Sequence, residues 1–228
     1  MPRRLAAAVE VVVGSVCVFG YIWFVSPLRN LWIQAGAALP IVAFLILANC
    51  TIQTRARDLG FRWDNWRDSA KDLTLFTTIT MPVLFILWSG YFPTNFHLHP
   101  DARFWKKLAR YPFWALFQQY LILGFFFRRY REIFAPHATP AILLSACTFA
   151  LIHIPNPPLI IFCFVAGIVW AVTYHRHPNL YTIAISHAIL AIFCSQVLLV
   201  SLKVGPEAEA GRWSKTQSLV WPERGGAP

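Results

Sequence analysis

Seven long apolar stretches, separated by short polar or proline-rich breaks, leave this chain little choice of fold. They run over Leu5–Val25, Leu31–Thr51, Leu73–Phe92, Pro112–Phe127, Pro140–Ile154, Pro157–Tyr174 and Tyr181–Leu202. A hydrocarbon core takes about 20 residues of helix to cross. Inside it every backbone N–H and C=O must find its partner within the protein, which a helix does within its own segment. Composition agrees: 57% of the 228 residues are hydrophobic and 13% charged, against about 25% charged in a soluble domain. The chain is therefore expected to be an all-α polytopic helical membrane protein. Seven transmembrane helices are predicted, or eight if the basic stretch 103–110 extends a helix of its own. A cytosolic domain, a disordered chain and a nucleic-acid module are excluded. Pro140–Ile154 is short, so it crosses only by tilting or thinning the bilayer, or it stops inside a cavity.

The first stretch follows Arg3 and Arg4 as a signal peptide would. It is too long for an ordinary apolar region, carries Glu10 and lacks a small-x-small cleavage site, so it reads as an uncleaved span. Three regions follow: N-terminal spans and interfacial segments over 1–111, a core over 112–204, and a polar tail over 205–228 whose composition suits disorder. The net charge of +10 does not point to nucleic acid, because the 20 Lys and Arg residues sit almost entirely between the apolar stretches. Anionic headgroups and the positive-inside bias account for them. With the N-terminus inside, 11 of those 20 fall on the inner side. The expected setting is a bacterial cytoplasmic membrane, with the lipid bilayer as partner. Arg55–Asp72 and Phe104–Arg110 mix charge with aromatic rings and read as helices lying in the headgroup plane. The five cysteines show no CxxC spacing and read as small packing residues.

Polar side chains within spans are costly and therefore informative. Of ten acidic residues only Glu10 falls inside a span; the spans from Leu73 to Leu202 hold no carboxylate but do hold Gln118, Gln119, His153, His187 and Gln196. Adjacent amides on a helix point about 100° apart, so one of the Gln pair can face a cavity while the other braces a neighbour. His153 closes Phe149-Ala150-Leu151-Ile152-His153 just before Ile154-Pro155-Asn156-Pro157-Pro158, and His187 lies early in the last span. Each alone reads as a packing residue or an interhelical hydrogen bond. Together, on three spans, they point to one shared polar site. Counted from the helix ends at about 1.5 Å per residue, their depths differ by roughly 11 Å, which convergence has to overcome.

Catalytic zinc wants three protein ligands. Two imidazoles with neutral amides do not make that set, so no metal and no cofactor is assigned. His97, His99 and Asp101 form a tighter loop cluster that reads as polar residues facing water. No HExxH, GxSxG, GxGxxG or P-loop pattern occurs.

From Phe113 to Phe193, about 80 residues, the chain resembles the CPBP (ABI) family of intramembrane proteases, which includes the type II CAAX prenyl endopeptidases. That family's pattern is a Glu-Glu-x-x-x-Arg helix, a Phe-x-x-x-His helix and a His-x-x-x-Asn/Asp helix. Here Gln118 and Gln119 stand at the Glu pair, Leu123 at the Arg and Ala191 at the Asn, while Phe149, His153 and His187 are kept. The resemblance implies an endopeptidase architecture acting on a membrane-embedded or lipidated peptide, with Gln118, Gln119, His153 and His187 at the catalytic positions. In the family the first Glu activates water, while the His residues and the Asn support water and oxyanion. A Gln amide cannot take a proton, although it can orient water or donate to an oxyanion, so His153 or His187 would have to be the base. Glu132 lies about 21 Å from Gln118 along an ideal helix and is no substitute. Losing the Glu pair and the Arg together removes both charges of the site. That leaves a second reading, a pseudoprotease that binds membrane helices or lipidated peptides without cleaving them. A proton-relaying transporter is a third, for which no inverted repeat is visible.

Overall fold

The computed structural model describes residues 2–50, 55–90 and 102–208. Among them every regular element is a helix and there is no strand, as the apolar stretches require. The helices are α1 (Pro2–Gly20), α2 (Leu31–Cys50), α3 (Trp66–Ser89), α4 (Ala102–Gln119), α5 (Arg128–Ile133), α6 (Thr139–Leu151), α7 (Pro157–Arg176) and α8 (Leu180–Gln196). A π-helical turn over Tyr21–Val25 and a 3-10 turn over Ser26–Leu28 prolong α1, and a π-helical segment over Tyr120–Phe127 joins α4 to α5. Among the described residues four helical runs are long and apolar enough to cross a membrane: Arg3–Leu28, Leu31–Cys50, Trp66–Ser89 and Pro157–Arg176. Thr139–Leu151 and Leu180–Gln196 are shorter apolar helices.

Local chemistry sets the helix ends. Pro157 and Pro158 open α7, where a missing N–H costs nothing, and the Asn156 side chain accepts from Leu159 N. Asn179 caps α8 by accepting from Thr182 N at 3.1 Å. Such caps satisfy backbone donors that have no partner inside the helix.

Two expectations need correction. Phe104–Arg110 is not a separate interfacial helix. It forms the opening turns of an uninterrupted helical run from Ala102 to Ile133, which carries Pro112 inside it. The segment after Arg55 does not lie in the headgroup plane as a helix either. Residues 56–60 form turns, and helix resumes only at Trp66. Hydrogen bonds clip this loop to the α7–α8 junction: Leu180 N donates to Gly60 O at 2.9 Å, Asn179 Nδ2 to Arg62 O at 2.8 Å, and Tyr174 OH to Leu59 O at 2.9 Å. Specific tertiary partners outweigh the amphipathic pattern here. Within the loop, the hydrogen bond from Arg62, helped by Arg57, holds the Asp64 carboxyl well below the usual carboxylate range.

Gly60 has φ +89°, and a Cβ there would come within 3.1 Å of both Leu180 N and the Tyr174 ring. Left-handed backbone alone costs a side-chain-bearing residue about 1–2 kcal/mol. Gly60→Ala should therefore lower stability by at least that much, read as a lower midpoint of thermal unfolding in detergent, while Gly20→Ala, which meets nothing within 4 Å, should not.

The core gathers around the π segment, where Leu121 to Phe127 are all buried, together with Phe149 of α6 and Trp170 of α7. Helices α6 and α7 approach closely because a Cβ on Gly167 would lie only 3.0 Å from Ala146 Cα. The polar tail begins attached, since Gly205 N donates to Ile154 O at 2.8 Å. Its remainder from 209, like the His97, His99 and Asp101 cluster, lies outside the described residues.

A candidate site of amides and imidazoles

Helix α6 runs out at Leu151, so the carbonyl of Phe149 is among the last four of the helix and lacks an intrahelical partner. The His153 ring supplies one: its Nδ1 donates to Phe149 O at 2.8 Å. A Phe-x-x-x-His spacing at a helix end thus has a local physical reason. It also fixes the tautomer, because a proton on Nδ1 leaves Nε2 as a lone pair.

The two glutamines diverge as adjacent helical residues must. Gln119, 1% exposed, sends its Nε2 to His187 Nδ1 at 3.1 Å. With the amide donating, His187 keeps its own proton on Nε2. Gln118 faces the other way, into a cavity of about 300 Å³ that His153 and His187 also line. Its buried Oε1 has no hydrogen-bond partner among the described residues. An unpaired buried acceptor costs about 1–3 kcal/mol, so a native one calls for an explanation.

Phe149 binds the two imidazoles into one structure, its ring centroid lying 5.0 Å from His153 and 5.5 Å from His187. Trp170 lies against His187 at 4.8 Å, and its indole N–H donates to Ser186 Oγ, which in turn pairs with Thr77 Oγ1 at 2.9 Å. The depth mismatch counted from ideal helix ends does not keep these groups apart, since the Gln119–His187 hydrogen bond, the Phe149 ring and the shared cavity bring α4, α6 and α8 together. π-helical turns recur at functional sites.

The rest of the cavity wall is mostly apolar and comes from α1 and its continuation to Ser26, α2, α4, the π segment, α6, α7, α8 and residues 202–204; among the described residues lining it there is no Asp or Glu. Ala191 presents a methyl group to it, and Leu123 is buried in the core at 1% exposure. Neither position thus carries the polar group that the family pattern has there. Among the described residues no three His, Cys, Asp and Glu side chains gather as a metal-binding group.

Sequence reasoning missed a buried charge cluster on the far side of the π segment. Arg129, with a fully buried side chain, donates from Nε to Glu10 Oε2 at 2.8 Å and from Nη1 to Asn49 Oδ1. Its guanidinium sits 4.2 Å from the centroid of the Phe125 ring, a cation–π arrangement. Asn49 then donates to Tyr120 OH at 2.9 Å and to Gly124 O at 3.3 Å. The chain therefore does bury a cation near the site, but outside the cavity and paired with an acid from α1. Glu10 was the available signal, because an acid inside a span needs a partner.

Residues 100–193 match the family model described as type II CAAX prenyl endopeptidase Rce1-like, a stretch that includes all three motif helices. No curated protein and no solved structure matches the chain.

Proposed function

We propose that this membrane protein, whose residues 100–193 match the type II CAAX prenyl endopeptidase Rce1-like model, captures a membrane-embedded or lipidated peptide in its cavity without cleaving it by the carboxylate route. One observation carries the reading: among the described residues the cavity wall holds no carboxylate, and an amide whose acceptor is unpaired among them stands where the water-activating acid would be. The polar end of the cavity suits a peptide unit. Gln118 Oε1 can accept from a backbone N–H, and His187 Nε2–H can donate to a backbone carbonyl. Both groups are neutral, so a neutral peptide is held without burying an unpaired charge. Under this proposal the N-terminus is on the cytoplasmic side of a bacterial cytoplasmic membrane, a reading supported by the basic side chains near α5.

A second reading is favoured by the His153 tautomer. Its Nε2 lone pair faces no hydrogen-bond donor among the described residues. It can take a proton from water attacking a peptide carbonyl while His187 Nε2–H stabilises the oxyanion.

One experiment separates them. A fluorescent prenylated peptide is incubated with the purified protein in detergent, and binding and cleavage are followed together. Capture without cleavage is expected for the wild type. Gln118→Glu combined with Ala191→Asn restores a base and an amide, and should raise cleavage by about 10²-fold or more, the usual contribution of a general base. Wild-type cleavage that disappears in His153→Ala would sink the capture reading and establish the histidine mechanism.

A further inference from the structure

The opening turns of α4 carry three cations in one groove. Lys106, Lys107 and Arg110 line it together with Tyr111, Phe113 and Trp114, and no acidic side chain lies among them. Lys107 is committed, its Nζ donating to Ser195 Oγ on α8. Lys106 and Arg110 are four residues apart, both exposed, and form no ion pair among the described residues. Like charges at that spacing repel along a helix, unless an anion lies between them. Phe113 and Trp114 are 75% and 52% exposed beside them, which is the aromatic dressing of a headgroup zone.

The groove is not isolated. Tyr111 and Trp114 line both it and the 300 Å³ cavity. A basic shelf thus leads directly into an apolar chamber at the small end of the range of ligand sites. The chamber, at about 300 Å³, is too small for a whole lipid and suits part of one hydrocarbon chain.

We propose that groove and cavity form one site for an anionic phospholipid of the surrounding bilayer, with its phosphate between Lys106 and Arg110 and part of one acyl chain in the cavity. The lipid would then be the resident occupant that a peptide must displace. The inference stands apart from the peptide reading, because lipid retention is measured without any peptide or cleavage.

Native mass spectrometry of the protein released from detergent with phosphatidylglycerol or phosphatidylcholine tests it. Two near-surface cations should favour the anionic lipid roughly 30-fold. The preference should fall several-fold as ionic strength rises from 0.05 to about 1 M, a measurement on the unmodified chain. Lys106→Gln with Arg110→Gln should bring the ratio close to one, and Arg110→Lys should retain most of it. Ala38→Phe, which fills the cavity from α2, should reduce retention of both lipids and leave their ratio unchanged. A preference that survives the double Gln variant, or is insensitive to salt, overturns the headgroup half. Undiminished retention in Ala38→Phe, or displacement of bound lipid by millimolar glycerol phosphate, overturns the acyl-chain half.

Discussion

Glu10→Ala loses about 3–5 kcal/mol of stability, the expected cost of stripping one partner from a buried ion pair. The Arg129 side chain is fully buried and that of Glu10 is 20% exposed, so the guanidinium left behind cannot turn to water without dragging α5 out of its packing. Asn49 still accepts from Nη1, but Nη2 already lacks a partner among the described residues. The loss is read from unfolding in detergent against denaturant or temperature. Glu10→Ala combined with Arg129→Met should recover most of it, because an apolar pair of similar volume replaces the ions and leaves no lone charge. If the single and double variants are equally destabilised, the pair is not what holds α1 to the far side of the π segment.

Phe149→Ala carries the second large effect, about 3–5 kcal/mol for an emptied aromatic site. The ring is 1% exposed and contacts His153, Trp170 and His187 at centroid distances of 5.0, 5.7 and 5.5 Å. Nothing else named here touches both imidazoles. The Phe149 carbonyl still accepts from His153, so α6 keeps its end while the side chains around it lose their shared wall. Phe149→Leu should cost much less, since it keeps most of the volume. An unfolding midpoint for Phe149→Ala close to that of Phe149→Leu would show that the site does not depend on this ring.

The sequence made the helices legible because each span must satisfy its own backbone and therefore announces itself by length and hydropathy. It also made the polar site legible, since amides and imidazoles inside spans are few and Gln118, Gln119, His153 and His187 were the conspicuous ones. Two things were hidden. The loop after Arg55 carries an amphipathic pattern, yet its conformation follows from Asn179 and Leu180, more than a hundred positions away. In the sequence Arg129 is one of three arginines, with Arg128 and Arg131, directly after an apolar stretch. Only the π segment, which shifts the facing of everything after it, turns that arginine inward toward Glu10. Periodicity read at 3.6 residues per turn has no way to anticipate a turn of a different pitch.

That change of pitch has a consequence for how the chain can vary. The Gln pair lies just before Tyr120 and the arginine cluster just after Phe127, so the π segment sets the angular phase between the two. Relaxing it to ordinary helix with the same number of residues rotates one end against the other, because a π turn takes more residues than an α turn. The amide of Gln119 and the guanidinium of Arg129 would then no longer both meet their partners. The number of residues between Tyr120 and Phe127 is in that sense constrained, in addition to the burial of their side chains.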